Sequence, residues 1–158
     1  MPKIQARRKQ PVLRLDALGL RGLAESQSGA SELRVFVPHT SAELTRAALA
    51  AVAAFTRSLR ARVTVAAVQI VPFPLQLDQP HIPPAFLEHK LTELAQETDA
   101  QVDVQVVIAR DRDAGLETVI TPGALVVVAT KKRWWPTAEK RLARALARSG
   151  HSVALLGV

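Results

Sequence analysis

The sequence predicts a three-layer α/β fold, in which one open parallel sheet of five strands carries helices on both faces. Apolar runs rich in β-branched residues alternate with helix-period segments from residue 33 to the end of the chain. Alternation of this kind is typical of a parallel sheet with crossover helices. The chain has 158 residues, of which 48% are hydrophobic, which is enough apolar material for one core. We therefore expect one α/β domain over residues 32–158.

The first strand and the first helix of this domain have clear boundaries. Residues 33–37 form a short apolar run that ends at Pro38, which cannot continue a strand ladder. Thr40 and Glu43 have the spacing of a capping box, so we expect Thr40 to cap the helix. The apolar positions of this helix recur at steps of three and four: Leu44, Ala47, Ala48, Ala51, Val52, Phe55 and Leu59.

The later elements repeat the alternation. Residues 63–71 predict a strand buried on both faces, because they are continuous and β-branched. Five prolines in residues 72–84 break regular structure, and Pro83-Pro84 suits the start of a helix. The remaining predictions are strand 101–108, helix 113–120, strand 124–129, helix 137–149 and strand 151–158, with Gly150 as the C-terminal cap of the last helix.

The formal net charge of +7 is unevenly distributed. Residues 1–34 carry seven basic and three acidic side chains, and residues 131–148 carry seven basic and one acidic. The segment between them, residues 35–130, carries seven basic and ten acidic side chains and is mildly acidic. We interpret residues 1–31 as a flexible basic arm and the second basic segment as a local feature near the end of the domain.

Composition excludes several classes of function. The absence of cysteine excludes disulfide scaffolds, thiol catalysis and cysteine-ligated metal sites. No apolar stretch approaches the roughly 18 residues that a membrane-spanning helix needs, and the start of the chain lacks the apolar region of a secretory signal. We expect a cytoplasmic protein without membrane insertion.

From residue 33 onward, the chain resembles the universal stress protein family. The resemblance rests on Val35-Phe36-Val37-Pro38 before an alanine-rich helix, on the strand Leu125-Val126-Val127-Val128 followed by Ala129, and on the terminal strand Val153-Ala154-Leu155-Leu156. It also extends to a bacterial subgroup with two adjacent tryptophans after the fourth strand. The resemblance implies a Rossmann-like sheet of order 3-2-1-4-5, a stress-response role, ATP or AMP bound in some members, and a homodimer through the last strand.

The nucleotide-binding motifs of that family are altered in this sequence. ATP-binding members carry an Asp after the first strand, where this chain has His39, Thr40 and Ser41. Those members also carry a glycine-rich loop after the fourth strand, whereas residues 129–135 contain no glycine. Because close approach of backbone to phosphate depends on glycine, the resemblance carries over the fold and not the standard ATP site.

With the implied sheet order, a ligand crevice would lie between the first and fourth predicted strands. Cationic side chains at a strand end can bind an anion without a glycine cradle, so ATP, AMP or another anion stays a candidate ligand. The alternative is that these cations form a solvated turn. The candidate residues of the two rims are His39, Thr40, Ser41, Thr130, Lys131, Lys132 and Arg133.

Two further features have both a structural and a functional interpretation. Trp134 and Trp135 suit either a structural role, with one ring closing the edge of the core and the other on the surface or at an interface, or a stacking platform for a base. The basic face of the last helix suits either solvent or a nucleic acid or acidic partner, and it consists of Lys140, Arg141, Arg144 and Arg148. We treat nucleic-acid binding through this helix and the arm as a second alternative.

No catalytic or metal-ligating constellation is present in the sequence. The four histidines have no ligand spacing, and no carboxylate cluster accompanies them: His39, His81, His89 and His151. Asp111 and Asp113 fit a turn and a helix cap. We therefore expect no enzyme activity, no bound metal and no obligatory cofactor.

The leading hypothesis is a non-enzymatic regulatory or interaction domain that has lost the standard ATP site and acts as a homodimer or within a larger assembly. The alternative is a module that binds a nucleotide or small anion through the basic loop after the fourth strand. The last strand should be an unprotected sheet edge, and the dimer interface is predicted at Val153, Leu155 and Leu156.

Overall fold

The computed structural model describes residues 8–29, 31–78, 80 and 82–158. Its strands are β1 (Val12–Leu15), β2 (Leu33–Pro38), β3 (Ala61–Ile70), β4 (Val102–Ala109), β5 (Leu125–Thr130) and β6 (Ser152–Gly157). Its helices are α1 (Ala17–Gln27), α2 (Ala42–Thr56), α3 (Pro84–Gln96), α4 (Arg112–Glu117) and α5 (Ala138–Arg148). The predicted alternation of strands and helices is confirmed.

All pairings in the sheet are parallel, and the strand order is β1-β6-β5-β2-β3-β4. The prediction of five strands is wrong, because the sheet has six. The five strands from β2 to β6 keep the predicted relative order, and β1 is added beside β6. The strand order reverses between β2 and β5, so the predicted switch point is present.

The segment predicted as a flexible arm contains β1 and α1. Leu20 and Ala24 of α1 are fully buried, and Asp16 caps this helix by accepting a hydrogen bond from the amide of Gly19 at 2.7 Å. The interpretation of residues 12–27 as a flexible arm is therefore wrong. The many charged residues of this segment made its strand and helix hard to recognise in the sequence. Residues 1–7 and 30 lie outside the described residues.

The last strand is not a sheet edge, contrary to the sequence-based expectation. β6 pairs with β5 on one side and with β1 on the other. The predicted interface residues Val153, Leu155 and Leu156 are 1%, 4% and 3% exposed, so they belong to the core of this chain. An interface through them is ruled out in this fold, because β1 already occupies the strand edge.

The core is divided by the sheet into two layers. Val35 and Val37 of β2 face α1 and α2, whereas Phe36 between them faces the layer that contains α4 and α5. A third cluster packs α3 against β3 and β4. The C-terminal end of α5 is closed by Gly150 at φ 92°, whose amide donates to Ala147, while the amide of His151 donates to Leu146. The predicted glycine cap is therefore confirmed.

Candidate functional site

The carboxyl ends of β2 and β5 lie side by side and carry the two predicted rims. His39, Thr40 and Ser41 follow β2, and residues 130–133 end β5 and continue into the loop before α5. Their placement follows from the register, in which Val35 and Phe36 of β2 pair with Leu125 and Val126 of β5. The structure thus places the two predicted rims next to each other, on either side of the switch point between β2 and β5.

His39 is fixed within its rim. Its backbone amide donates to the carbonyl of Ala66 at 2.7 Å, and its Nδ1 lies 2.9 Å from the hydroxyl of buried Thr45. Partial burial lowers the pKa of His39 below its usual value of 6.5, because desolvation disfavours the imidazolium. A neutral imidazole in this position supplies little charge to an anionic ligand.

The cap of α2 is Ser41 rather than the predicted Thr40. The Ser41 hydroxyl accepts from the amide of Leu44 at 3.2 Å, and Ser41 has the extended backbone of an N-cap residue. The helix begins one residue later than the capping-box pattern indicated. Glu43 is therefore at the second helical position and does not form the predicted box.

Glu43 instead pairs with a predicted site residue across the crevice. The Lys131 ammonium lies 3.1 Å from the Glu43 carboxylate, and this contact connects the rim of β5 to the first turn of α2. The carboxylate compensates the charge of Lys131 and repels an anion. The crevice between β2 and β5 is therefore a weaker anion site than its sequence suggested.

A cavity of about 300 Å³ lies on the other side of the β5 loop, at the carboxyl ends of β5, β6 and β1. Five of its lining residues are basic and one, Asp16, is acidic and occupied in capping α1. The lining residues are Arg14, Leu15, Asp16, Thr130, Lys131, Lys132, Arg133, Lys140, Leu155 and Gly157. The predicted residues 130–133 thus border this cavity as well as the crevice. We call it the basic cavity.

Lys140 is the most buried cation of the basic cavity. The residue is 7% exposed, and its ammonium donates to the carbonyl of Trp135 at 3.2 Å and to the carbonyl of Arg133. Among the residues that the structure describes, no carboxylate forms an ion pair with it. A buried ammonium with only neutral partners makes the electrostatic potential of the cavity positive.

Main-chain hydrogen bonds fix the loop that borders the cavity. The amide of Lys132 donates to Val158 at 3.2 Å, and the amide of Val158 donates to Thr130 at 2.9 Å. The stem of Lys132 crosses the end of β6 at Gly157, where a Cβ atom would lie 3.3 Å from Cε of Lys132. The hydroxyl of Thr130 is 3.1 Å from that of Thr137, the N-cap of α5, and so serves the loop itself.

The tryptophan pair lies at the solvent-facing end of the same loop. Trp134 is 91% exposed and Trp135 is 45% exposed, with ring centroids 5.6 Å apart in an edge-to-face arrangement. The guanidinium of Arg133 lies 5.4 Å from the centre of the Trp135 ring. Trp134 lies on the surface and Trp135 is about half-exposed, so both interpretations of the pair stay open.

Sequence reasoning missed Arg14 and the role of Lys140. Arg14 belongs to the segment interpreted as an arm, and Lys140 was assigned to a solvated helix face. Leu13-Arg14-Leu15 has the apolar-polar-apolar alternation of a strand, but this run is short and charged residues surround it.

The remaining polar candidates have structural partners. His151 is 2% exposed and lies 2.8 Å from the carboxylate of Glu117, and the side chain of Asp111 caps α4. His81 lies outside the described residues. Within the described part of the chain, no three metal-ligating side chains are grouped as a metal site, and no helix is long and apolar enough to cross a membrane.

These features define a doubly wound α/β domain with a basic cavity at the carboxyl ends of its strands. The fold is similar to that of a solved universal stress protein in complex with cAMP, with a TM-score of 0.54 and 17% sequence identity. The similarity covers 80% of this chain and 98% of that chain. The universal stress protein fold that the sequence resemblance predicts is therefore confirmed. No protein-family model matches the sequence, and no curated protein matches it.

Proposed function

We propose that this chain is a non-enzymatic, universal stress protein-like regulatory module that binds a small anionic ligand in the basic cavity. One observation carries the proposal: buried Lys140 and the neighbouring Arg14, Lys132 and Arg133 face a cavity whose one acidic lining residue already caps a helix. Several cations at one strand end, with few opposing carboxylates, favour an anion between them.

The energetic argument depends on Lys140. A buried ammonium is costly unless its charge is compensated, and carbonyl oxygens compensate it only partly. A phosphate or carboxylate in the cavity would supply the missing opposite charge. The same ligand would reach the more exposed Lys132 and Arg133, whose side chains replace the glycine amides of the family's usual phosphate loop.

The size of the cavity restricts the ligand. A volume of about 300 Å³ lies at the lower end of the range of small-molecule sites. This volume favours a compact phosphorylated ligand, such as a nucleoside monophosphate or cyclic nucleotide, over a nucleoside triphosphate. The similar fold solved in complex with cAMP supports this class of ligand.

Thermal denaturation in the presence of candidate ligands tests the proposal. Inorganic phosphate, AMP, cAMP and ATP are added to the full chain over a range of concentrations. A ligand that binds the folded state raises the melting temperature, and above the Kd the rise grows with the logarithm of the ligand concentration. We expect a dose-dependent rise with at least one of the monophosphates.

Variants identify the site. Lys132→Ala and Arg14→Ala should each remove most of the shift, because both side chains line the cavity. Arg141→Ala is the matched control, since Arg141 is an exposed arginine of α5 that does not line it. A shift that all three variants reduce equally, or the absence of any shift, would contradict the proposal. Hydrolysis of ATP by the purified chain would contradict the proposal that the chain is non-enzymatic.

A further inference from the structure

A second concave surface runs along the outside of the domain, between β1 and α5. It encloses about 440 Å³, and five of its nine lining residues are basic and none is acidic. The lining residues are Lys9, Gln10, Val12, Arg14, Lys140, Arg144, Ala147, Arg148 and Leu155. We call this surface the basic groove. It meets the basic cavity at Arg14, Lys140 and Leu155, which line both.

The groove exists because β1 brings the first basic segment of the sequence next to the second. Val12 and Arg14 pair in register with Val153 and Leu155 of β6, which places them on the sheet face covered by α5. On α5, Lys140, Arg144 and Arg148 follow one another at four-residue steps and therefore share one helix face. Two charge clusters that are far apart in the sequence thus form one surface.

Within the described part of the chain, no carboxylate pairs with the cations of the groove. The ion pairs of the described residues include none formed by Arg14, Arg144 or Arg148. By contrast, Arg46, Arg57 and Arg62 elsewhere on the surface each lie within ion-pair distance of a carboxylate. The groove is therefore a continuous positive surface that can follow a chain of negative charges.

The tryptophan pair gives this surface a second property, independent of charge. Arg133 lines the basic cavity at one end of the groove, and its guanidinium faces the ring of Trp135. Trp134, beside it, presents most of its surface to solvent. An exposed indole next to the basic groove can stack on the flat face of an unpaired base. In a duplex, that face is covered by the neighbouring base pairs.

We propose that the basic groove and Trp134 together bind single-stranded nucleic acid, with the phosphates along Arg148, Arg144 and Arg14 and a base stacked on Trp134. From Lys140 to Arg148, α5 rises about 12 Å, which suits a short stretch of strand. The proposal does not depend on a small ligand in the basic cavity, although the two surfaces share Arg14 and Lys140.

Fluorescence tests this proposal directly, because the chain has two tryptophans and no tyrosine, so its emission reports on Trp134 and Trp135. The full chain is titrated with an oligothymidylate of about 12 nucleotides, within the site sizes of single-strand-binding grooves. Anisotropy of a labelled oligonucleotide gives the Kd over a series of salt concentrations. We expect quenching of tryptophan emission and a Kd that rises steeply with salt.

Matched variants separate the groove from bulk charge. Arg14→Gln/Arg144→Gln/Arg148→Gln removes three charges of the groove and should reduce the slope of log K against log salt by about 2. The control removes three exposed arginines outside the groove: Arg34→Gln/Arg60→Gln/Arg62→Gln. The control should keep the affinity of the unmodified chain within about two-fold at moderate salt, where distant charges are screened.

Stacking is tested with a strand that has no bases. Trp134→Ala should weaken binding of the oligothymidylate about five-fold or more, and it should leave binding of an abasic strand of equal length unchanged. Equal affinity for the two strands, or an unaffected Trp134→Ala, would show a general polyanion surface, such as one for an acidic protein, and would overturn the proposal. Equal effects of the two triple variants would overturn it too.

Circular dichroism and thermal denaturation verify that each variant is folded. Failure of this proposal is distinguishable from failure of the small-ligand proposal. Lys132→Ala should remove most of the thermal shift with monophosphates, whereas Trp134→Ala should leave that shift intact and change only strand binding.

Discussion

Arg14 of β1 is the register partner of Leu155 of β6, so a charged residue of the N-terminal segment lies directly beside the predicted dimer interface. This pairing has two consequences. It covers the edge that the last strand would otherwise expose. It also directs the Arg14 side chain toward α5, where it lines both the basic cavity and the basic groove.

Loss of β1 should make the last strand an exposed sheet edge. Leu13→Pro fixes φ and removes an N–H in the middle of the four-residue strand β1, so it should weaken the pairing of β1 with β6. The exposed edge of β6 should then pair with another molecule, and light scattering at micromolar concentration should show a larger mass than for the unmodified chain.

Leu13→Ala is the control for that change, because it shortens the same side chain, which is 38% exposed, and keeps the backbone donor. It should leave the mass unchanged. If Leu13→Pro has the mass of the control, β1 is not what protects the edge of β6. Homodimerisation of the unmodified chain stays a prediction, and it would need a surface other than Val153, Leu155 and Leu156.

The positions of the five strands from β2 to β6 along the chain were predictable because apolar runs and helix periods are local signals. The uninterrupted apolar run 124–129 predicts a strand, and all six of its residues are buried. The family resemblance then supplied the sheet order. β1 escaped prediction because it has four residues, two of them exposed, and its stability comes from pairing with β6. Each residue of β1 is 141 positions before its register partner, as Leu15 is before Leu156.

The sequence predicted where the candidate residues lie in the fold, but it did not predict which side chains they contact. Residues 130–133 do lie at the carboxyl end of a central strand, beside the rim of β2. The sequence could not show that Lys131 meets Glu43, because that contact depends on a one-residue shift in the start of α2. Nor could it show that Arg14 joins the loop, because that placement depends on β1.

The contact between Lys131 and Glu43 should oppose anion binding in the crevice between β2 and β5. Glu43→Gln removes the carboxylate and leaves the Lys131 ammonium free to bind an anion. Stability should fall by no more than about 1 kcal/mol, because both side chains are largely exposed. Titration calorimetry with inorganic phosphate should show several-fold tighter binding or an additional weak site.

Glu93→Gln is a suitable control, because it removes the same charge from an exposed side chain of α3, away from the crevice. The double variant Glu43→Gln/Lys131→Ala should lose the gain. If Glu43→Gln binds phosphate no better than the control, the ion pair does not regulate the crevice.

The lowered pKa of His39 should make the folded state sensitive to acid. Burial keeps the pKa of the folded state below 6.5, so between that pKa and 6.5 the unfolded chain binds more protons than the folded chain. Stability therefore rises with pH in this window and is lost as the pH falls below 6.5. Urea denaturation of the unmodified chain between about pH 7.5 and about pH 5 should show this loss.

His39→Asn should flatten that pH dependence. The Asn amide does not titrate, and it can keep a hydrogen bond to the hydroxyl of Thr45, which His39 contacts at 2.9 Å. His89→Asn is the control, because His89 is 75% exposed and lies on α3. Equal pH profiles for His39→Asn and the unmodified chain would show that another group controls acid stability.

Two helical glycines should respond in opposite directions to the same substitution. A Cβ atom at Gly115 of α4 would lie 2.8 Å from Cγ1 of Val68 and 3.0 Å from Cβ of Ala109, so α4 approaches the sheet too closely for alanine. A Cβ atom at Gly22 of α1 would meet nothing within 4 Å. Gly115→Ala should therefore destabilise the chain by about 1–3 kcal/mol through overpacking. Gly22→Ala should stabilise it by about 0.4–1 kcal/mol, because alanine restricts the unfolded chain. Chemical denaturation of both variants measures the difference, and a shift of the same sign in the two would contradict the close approach of α4 to β3.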